Sequence, residues 1–84
     1  MKNNTGHLIK EARLDERITQ RILAKRLGYD TPQAISNIER GARKLEIHKI
    51  DLLKKSLGLT RKQVIAAMVL DYGEYLERGC EALG

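Results

Sequence analysis

The chain has one cysteine, Cys80, so an internal disulfide is excluded. Its two histidines, His7 and His48, lie far apart, and no cysteine pair or His-x-x-x-His spacing offers ligands for a metal. No cofactor is therefore expected. Glycine-rich phosphate loops, nucleophile motifs and ligand clusters are also missing, and Asp15, Glu16, Ser36 and His48 do not by themselves make an active site, so an enzyme is not expected. The longest apolar run, Val64 to Leu70, is far too short to span a bilayer. Lys2, Asn3, Asn4 and Thr5 lead into an amphipathic segment where a secretory leader would be apolar. These absences predict a soluble cytoplasmic protein with no membrane partner. There is no internal repeat, low-complexity tract or linker, and 84 residues make one domain. A domain of this size buries only about 60 to 65% of the surface of its unfolded chain, so its stability is expected to be marginal or shared with a partner.

What is present is positive charge, unevenly spread. Residues 1–62 hold fifteen Lys/Arg against seven Asp/Glu, whereas residues 63–84 hold one against four; the whole chain carries +5. The division predicts a basic region over 1–62 and a C-terminal helix and tail over 63–84 within the same single domain. A basic surface alone does not distinguish a nucleic-acid partner from simple solvation.

Periodicity gives five helices and no strands: Gly6 to Asp15, Gln20 to Leu27, Pro32 to Arg40, Ile47 to Leu57, and Arg61 onward. The punctuation agrees. Thr19 is placed to cap the second helix, Thr31 precedes a proline at a first helical position, and Thr60 with Gln63 has capping-box spacing. Gly28, Gly41 and Gly58 each follow a periodic segment, where a left-handed residue would close the helix. The second and third segments are short, joined by a tight turn, and Ala24 is small in the middle of the first of them. Together they read as a helix-turn-helix, whose second helix is suited to a DNA major groove.

Arg13, then Thr19, Gln20, Leu23, Ala24 and Gly28, then Ile35, Ser36, Asn37, Ile38, Glu39, Arg40 and Gly41, and finally Leu52, Leu53, Leu57 and Gly58 form a combined pattern over roughly residues 6 to 60. It resembles the Cro/C1-type (XRE-like) helix-turn-helix regulators of bacteria and their phages. The resemblance implies an all-α, five-helix, lambda-repressor-like DNA-binding domain, with the helix-turn-helix formed by helices 2 and 3. One departure stands out: between Gly28 and Ile35 the segment is one residue longer than the family's commonest spacing.

With Ile35 set at 0° and about 100° per residue, Ile38 falls near 300°, so the buried direction of the third helix is about 330°. Gln33, Asn37 and Arg40 then point outward together, at about 160°, 200° and 140°. Gln and Asn match the donor and acceptor of an adenine edge, while Arg suits guanine or phosphate. The resemblance implies base reading at Gln33, Ala34 and Asn37, with Ala34 suited to a thymine methyl. Backbone or mixed contacts are expected from Gln20, Arg21, Ser36, Arg40, Arg43 and Lys44. Gln20 resembles the family's phosphate-clamping glutamine, at a helix start that carries no carboxylate. Glu39 lies near 40°, toward the buried side, and Arg13 follows Leu8, Ile9 and Ala12 on the apolar side of the first helix. An ion pair between them is expected, as between their counterparts in the family.

Val64 to Leu70 is apolar all round a helix, more than a small monomer covers with one side. This predicts one face in the core and the other in a two-fold homodimer, through Ile65, Met68, Val69, Tyr72, Tyr75 and Leu76. Two recognition helices about 34 Å apart would then read an inverted-repeat operator in double-stranded DNA. The expected function is a dimeric transcriptional repressor. The alternative is an antitoxin-like or restriction-modification controller-like regulator whose C-terminal segment binds a protein partner.

Overall fold

The computed structural model describes residues 3–71. They form α1 (Asn4–Asp15), α2 (Gln20–Arg26), α3 (Pro32–Glu39), a 3-10 turn (Ile47–Lys49) leading into α4 (Ile50–Leu57), and α5 over residues 61–71. No strand occurs among the described residues.

The helix starts follow side-chain chemistry. Asn3 Oδ1 accepts the Gly6 N–H at 3.2 Å, which starts α1 two residues earlier than periodicity suggests. Thr19 Oγ1 accepts the Ile22 N–H at 3.1 Å. At α5 the capping box is reciprocal: Gln63 N–H donates to Thr60 Oγ1 at 3.1 Å and Thr60 N–H to Gln63 Oε1 at 2.9 Å. Thr31 differs from expectation, for its backbone is extended but its side chain makes no capping bond. Pro32 at the first helical position removes one orphan donor and presets φ, and the Thr31 carbonyl accepts the Ala34 N–H.

The ends follow backbone chemistry. Gly28, Gly41 and Gly58 have φ of 80°, 81° and 66°. At Gly28 the Tyr29 N–H reaches the Ala24 carbonyl at 2.9 Å, and at Gly41 the Ala42 N–H reaches the Asn37 carbonyl at 2.8 Å, both Schellman closures. α1 closes in the same way on a residue that is not glycine: Arg17 has φ 57°, with Ile18 N–H bonded to the Arg13 carbonyl. The fourth helix, expected as one piece from Ile47, opens instead as a 3-10 turn. Ile47 is 71% exposed, so its side chain gives that turn little core contact.

Ile9, Leu23, Leu27, Ile35, Ile38, Leu53 and Val64 are the centre of the core, all at most 2% exposed. Among α1 to α4 the α2–α3 contact is the most extensive, and Ala24, 2% exposed, lets the two backbones approach. α1 also comes close to the end of α3. A Cβ on Gly6 would stand 2.5 Å from the Glu39 carbonyl oxygen, a separation no alanine tolerates without movement.

α5 adds Val64 and Ala67 to the core, with Met68 packed beside them. Met68 is half-buried, and the 64, 67, 68 spacing puts it at the edge of the inner stripe, with one side against the core. The end of α5 is tied to the start of α1. Asp71 Oδ1 accepts the Asn4 N–H at 2.6 Å and Asn4 Nδ2 at 3.0 Å, and Oδ2 accepts the Thr5 N–H at 2.7 Å. Burial pushes the Asp71 carboxyl upward, but the hydrogen bonds from Thr5 and Asn4 outweigh it and hold the group below the usual carboxylate range. Tyr72, Tyr75 and Leu76, expected at the dimer interface, and Cys80 lie outside the described residues.

Candidate nucleic-acid interface

The residues behind α3 decide where its outer face points. Arg13 Nε donates to Glu39 Oε2 at 2.8 Å and Arg13 Nη2 to Glu39 Oε1 at 3.3 Å, with side-chain exposures of 10% and 4%. Arg13 Nη1 also donates to the Ile18 carbonyl at 2.9 Å, and Gln20 Nε2 to Glu39 Oε1 at 3.0 Å. The Glu39 backbone carbonyl accepts from Asn3 Nδ2 at 2.7 Å. Glu39 at the end of α3 thus joins α1 and α2, and its partner Arg13 ties the α1–α2 loop to the same point. A buried carboxylate with these partners specifies an orientation, because any rotation of α3 would leave a charge unpaired.

On the opposite side, Gln33 and Arg40 are exposed and Asn37 is half-buried between them. The three are bonded to one another: Asn37 Oδ1 accepts from Gln33 Nε2 at 3.0 Å and from Arg40 Nη2. Ser36 is half-buried on the same helix. Ala34 is a correction. It is 7% exposed, so its methyl is turned into the protein and is not presented to a base. At about 260° it lies only some 70° from the buried direction, within the inner half of the helix.

Gln20 is half-buried, and its bond to Glu39 uses one amide hydrogen while the second remains. Arg21 and Lys25 line a shallow cleft against Tyr29, Asp30, Thr31 and Pro32, which sets Arg21 beside the start of α3. Beyond α3, Arg43 and Lys44 are exposed. Arg43 Nη2 bonds Glu46 Oε1 at 2.8 Å and holds that carboxyl below the usual range; His48 Nε2 reaches Glu46 Oε2 at 3.1 Å.

The turn between α2 and α3 is anchored by a residue whose role sequence reasoning missed. Tyr29 is half-buried against the core, with the Arg43 guanidinium 4.8 Å and the Lys49 ammonium 4.6 Å from its ring centroid. Burial, and then the Glu46 charge, push its hydroxyl pKa up. Lys49 Nζ also donates to the Leu27 carbonyl at 2.7 Å, so the end of α2 and the α3–α4 loop are held together around the ring. Asn3 was also missed, although Asn three residues before Gly6 has N-cap spacing.

Two short helices packed at Ala24, a glycine-closed turn and a polar outer face on the second helix, in a basic chain, define a helix-turn-helix domain. The family model for helix-turn-helix domains matches residues 9–64, two thirds of the chain, and the chain belongs to this family, the Cro/C1-type (XRE-like) DNA-binding regulators with a lambda-repressor-like helical fold. Neither a curated protein nor a solved structure gives a significant match to the chain. No group of side chains able to hold a metal occurs among the described residues, and none of their helices is long and apolar enough to cross a membrane.

Proposed function

We propose that this chain is a sequence-specific transcription regulator that lays the outer face of α3 in the DNA major groove and represses by occupying a promoter. The observation that carries the reading is the polar cluster of Gln33, Asn37 and Arg40 on the side of α3 opposite the Glu39 node. Base edges are read from this face. Gln20, Arg21, Ser36, Arg43 and Lys44 grip the flanking phosphates, setting register without reading sequence. In this role Arg43 exchanges Glu46 for a phosphate.

The working form is a homodimer in the cytoplasm of a bacterial cell. Ile65, Val69 and Leu70 on the outer side of α5 are 38%, 53% and 62% exposed, which supports a second copy as their cover. Tyr72, Tyr75 and Leu76 continue the same apolar series in the sequence. A two-fold dimer reads an inverted repeat with half-site centres about one helical turn apart.

Titration of a duplex carrying the preferred sequence against salt tests the proposal. The expected log–log slope is about −0.9 per phosphate neutralised, and Arg21→Ala makes it shallower by about one while weakening all duplexes alike. A slope near zero would contradict DNA binding. Sedimentation in the micromolar range reads the assembly. A dimer supports the two-fold operator, whereas a monomer that binds full-length operator with undiminished affinity contradicts it. A monomer that acquires a co-purifying protein only while residues 74–84 are present favours the antitoxin-like or controller-like alternative.

A further inference from the structure

Resting on the reading that α3 faces the bases, we propose that Asn37 is a positioning residue and that the specificity of the site is delivered by Gln33 and Arg40. An amide oxygen has two lone pairs, and the Asn37 Oδ1 uses both, one for Gln33 Nε2 and one for Arg40 Nη2. To pair with adenine, an asparagine needs that same oxygen to accept from the adenine N6 amino group. Asn37 would have to release both neighbours first.

The neighbours themselves lose nothing they need. Gln33 donates one amide hydrogen to Asn37 and keeps its Oε1 and a second hydrogen, the acceptor and donor that an adenine edge requires. Arg40 donates through Nη2 alone and retains four of its five N–H groups, enough for the O6 and N7 of guanine. Asn37 is also the best anchored of the three. Its side chain is half-buried, and its backbone carbonyl accepts from both the Ala42 N–H at 2.8 Å and the Arg43 N–H at 3.2 Å. A fixed acceptor between two long, flexible side chains restricts their rotamers before DNA arrives, which lowers the ordering cost of binding. The half-site assigned to this chain therefore contains an adenine read by Gln33 and a guanine read by Arg40, with no base belonging to Asn37.

Selection of bound duplexes from a random pool, run on the full chain and on Gln33→Ala, Arg40→Ala, Asn37→Ala and Asn37→Asp, tests this. Gln33→Ala and Arg40→Ala are each expected to relax one position, by roughly 5- to 150-fold in preference. Asn37→Ala is expected to relax those same two positions together and no third. Asn37→Asp keeps an acceptor between the two side chains, and is expected to preserve the preference at both positions while lowering affinity for every duplex, because it adds negative charge. If Asn37→Ala instead flattens a separate position of its own, or Asn37→Asp loses both preferences, the proposal is overturned. Arg40→Ala weakening all duplexes equally with an unchanged profile overturns it for Arg40. A wild-type chain that enriches no sequence overturns the DNA reading beneath it, a different and recognisable failure. Thermal melting of Asn37→Ala alongside the selection keeps a folding defect from passing as either result.

Discussion

α3 and α5 each give one stripe of apolar side chains to the core, Ile35 and Ile38 in the first, Val64 and Ala67 in the second. Their outer faces are opposites. α3 shows Gln33, Asn37 and Arg40, bonded into one polar surface, and α5 shows Ile65, Val69 and Leu70, with hydrocarbon facing water. The anchors differ in the same sense. α3 is held from behind by a buried ion pair, and α5 is held at its end by a half-buried carboxylate that accepts from the first turn of α1. The polar face requires fixed orientation, since hydrogen-bond recognition depends on angle; the apolar face requires only area, since hydrophobic contact is not directional. Under the proposed function, the two helices divide the work of the domain between reading and association.

Breaking the α3 anchor is expected to have the largest effect. Glu39→Ala strands the Arg13 guanidinium and should cost about 3 to 5 kcal/mol in unfolding free energy. The Arg13→Ala, Glu39→Ala double variant should cost clearly less than the sum of the singles, as read by chemical denaturation. Additive losses would mean the two side chains act independently.

Breaking the α5 anchor should cost less. Asp71→Ala is expected to lose about 1 to 2 kcal/mol, the range of a helix N-cap, because the Asn4 and Thr5 amides lose their acceptor. The pH dependence follows from the direction of the shift. The folded carboxyl titrates below its unfolded value, so its contribution is complete above the ordinary carboxylate range and is lost as pH falls from that range through the lower folded value. The variant and the wild type should converge in stability on acidification, and a gap that stays constant down to low pH would contradict the assignment.

The outer face of α5 offers a sharper form of the contrast. Val69→Lys is expected to leave the unfolding free energy of the isolated chain within about 0.5 kcal/mol, as for other surface substitutions. It should nevertheless shift sedimentation toward monomer. A large loss of stability with unchanged assembly would put Val69 in the core of the single chain. One further effect is expected to be a gain. Arg17 closes α1 with φ 57°, so Arg17→Gly should raise the melting temperature, by an amount corresponding to no more than about 1 kcal/mol.

Local chemistry made much of this architecture legible. Thr19, the Thr60–Gln63 box and the three glycines each act through neighbours in sequence, so their roles follow from spacing alone. The inner and outer faces of α3 were also readable, because a helix fixes the angle between Ile35 and Gln33 whatever surrounds it. The Arg13–Glu39 pairing needed the family resemblance as well as the two apolar faces. Ala34 was misread because its position between the two faces is decided by how closely α3 sits against its neighbours. The two sides of α5 were harder to tell apart, because a segment apolar on every side carries no mark of which side meets the core. Asp71 and Tyr29 gave no signal, since each acts on residues remote in sequence, Asp71 on Asn4 and Thr5, and Tyr29 on Arg43 and Lys49.

The proposed reading of DNA sequence by the outer face of α3 is tested most directly by Gln33→Ala. The measurement is the ratio of affinities for the preferred duplex and for a scrambled duplex of equal length, at one salt concentration. The ratio is expected to fall by roughly 5- to 150-fold while affinity for the scrambled duplex stays where it was. An unchanged ratio, in a variant that melts like the wild type, would contradict the account.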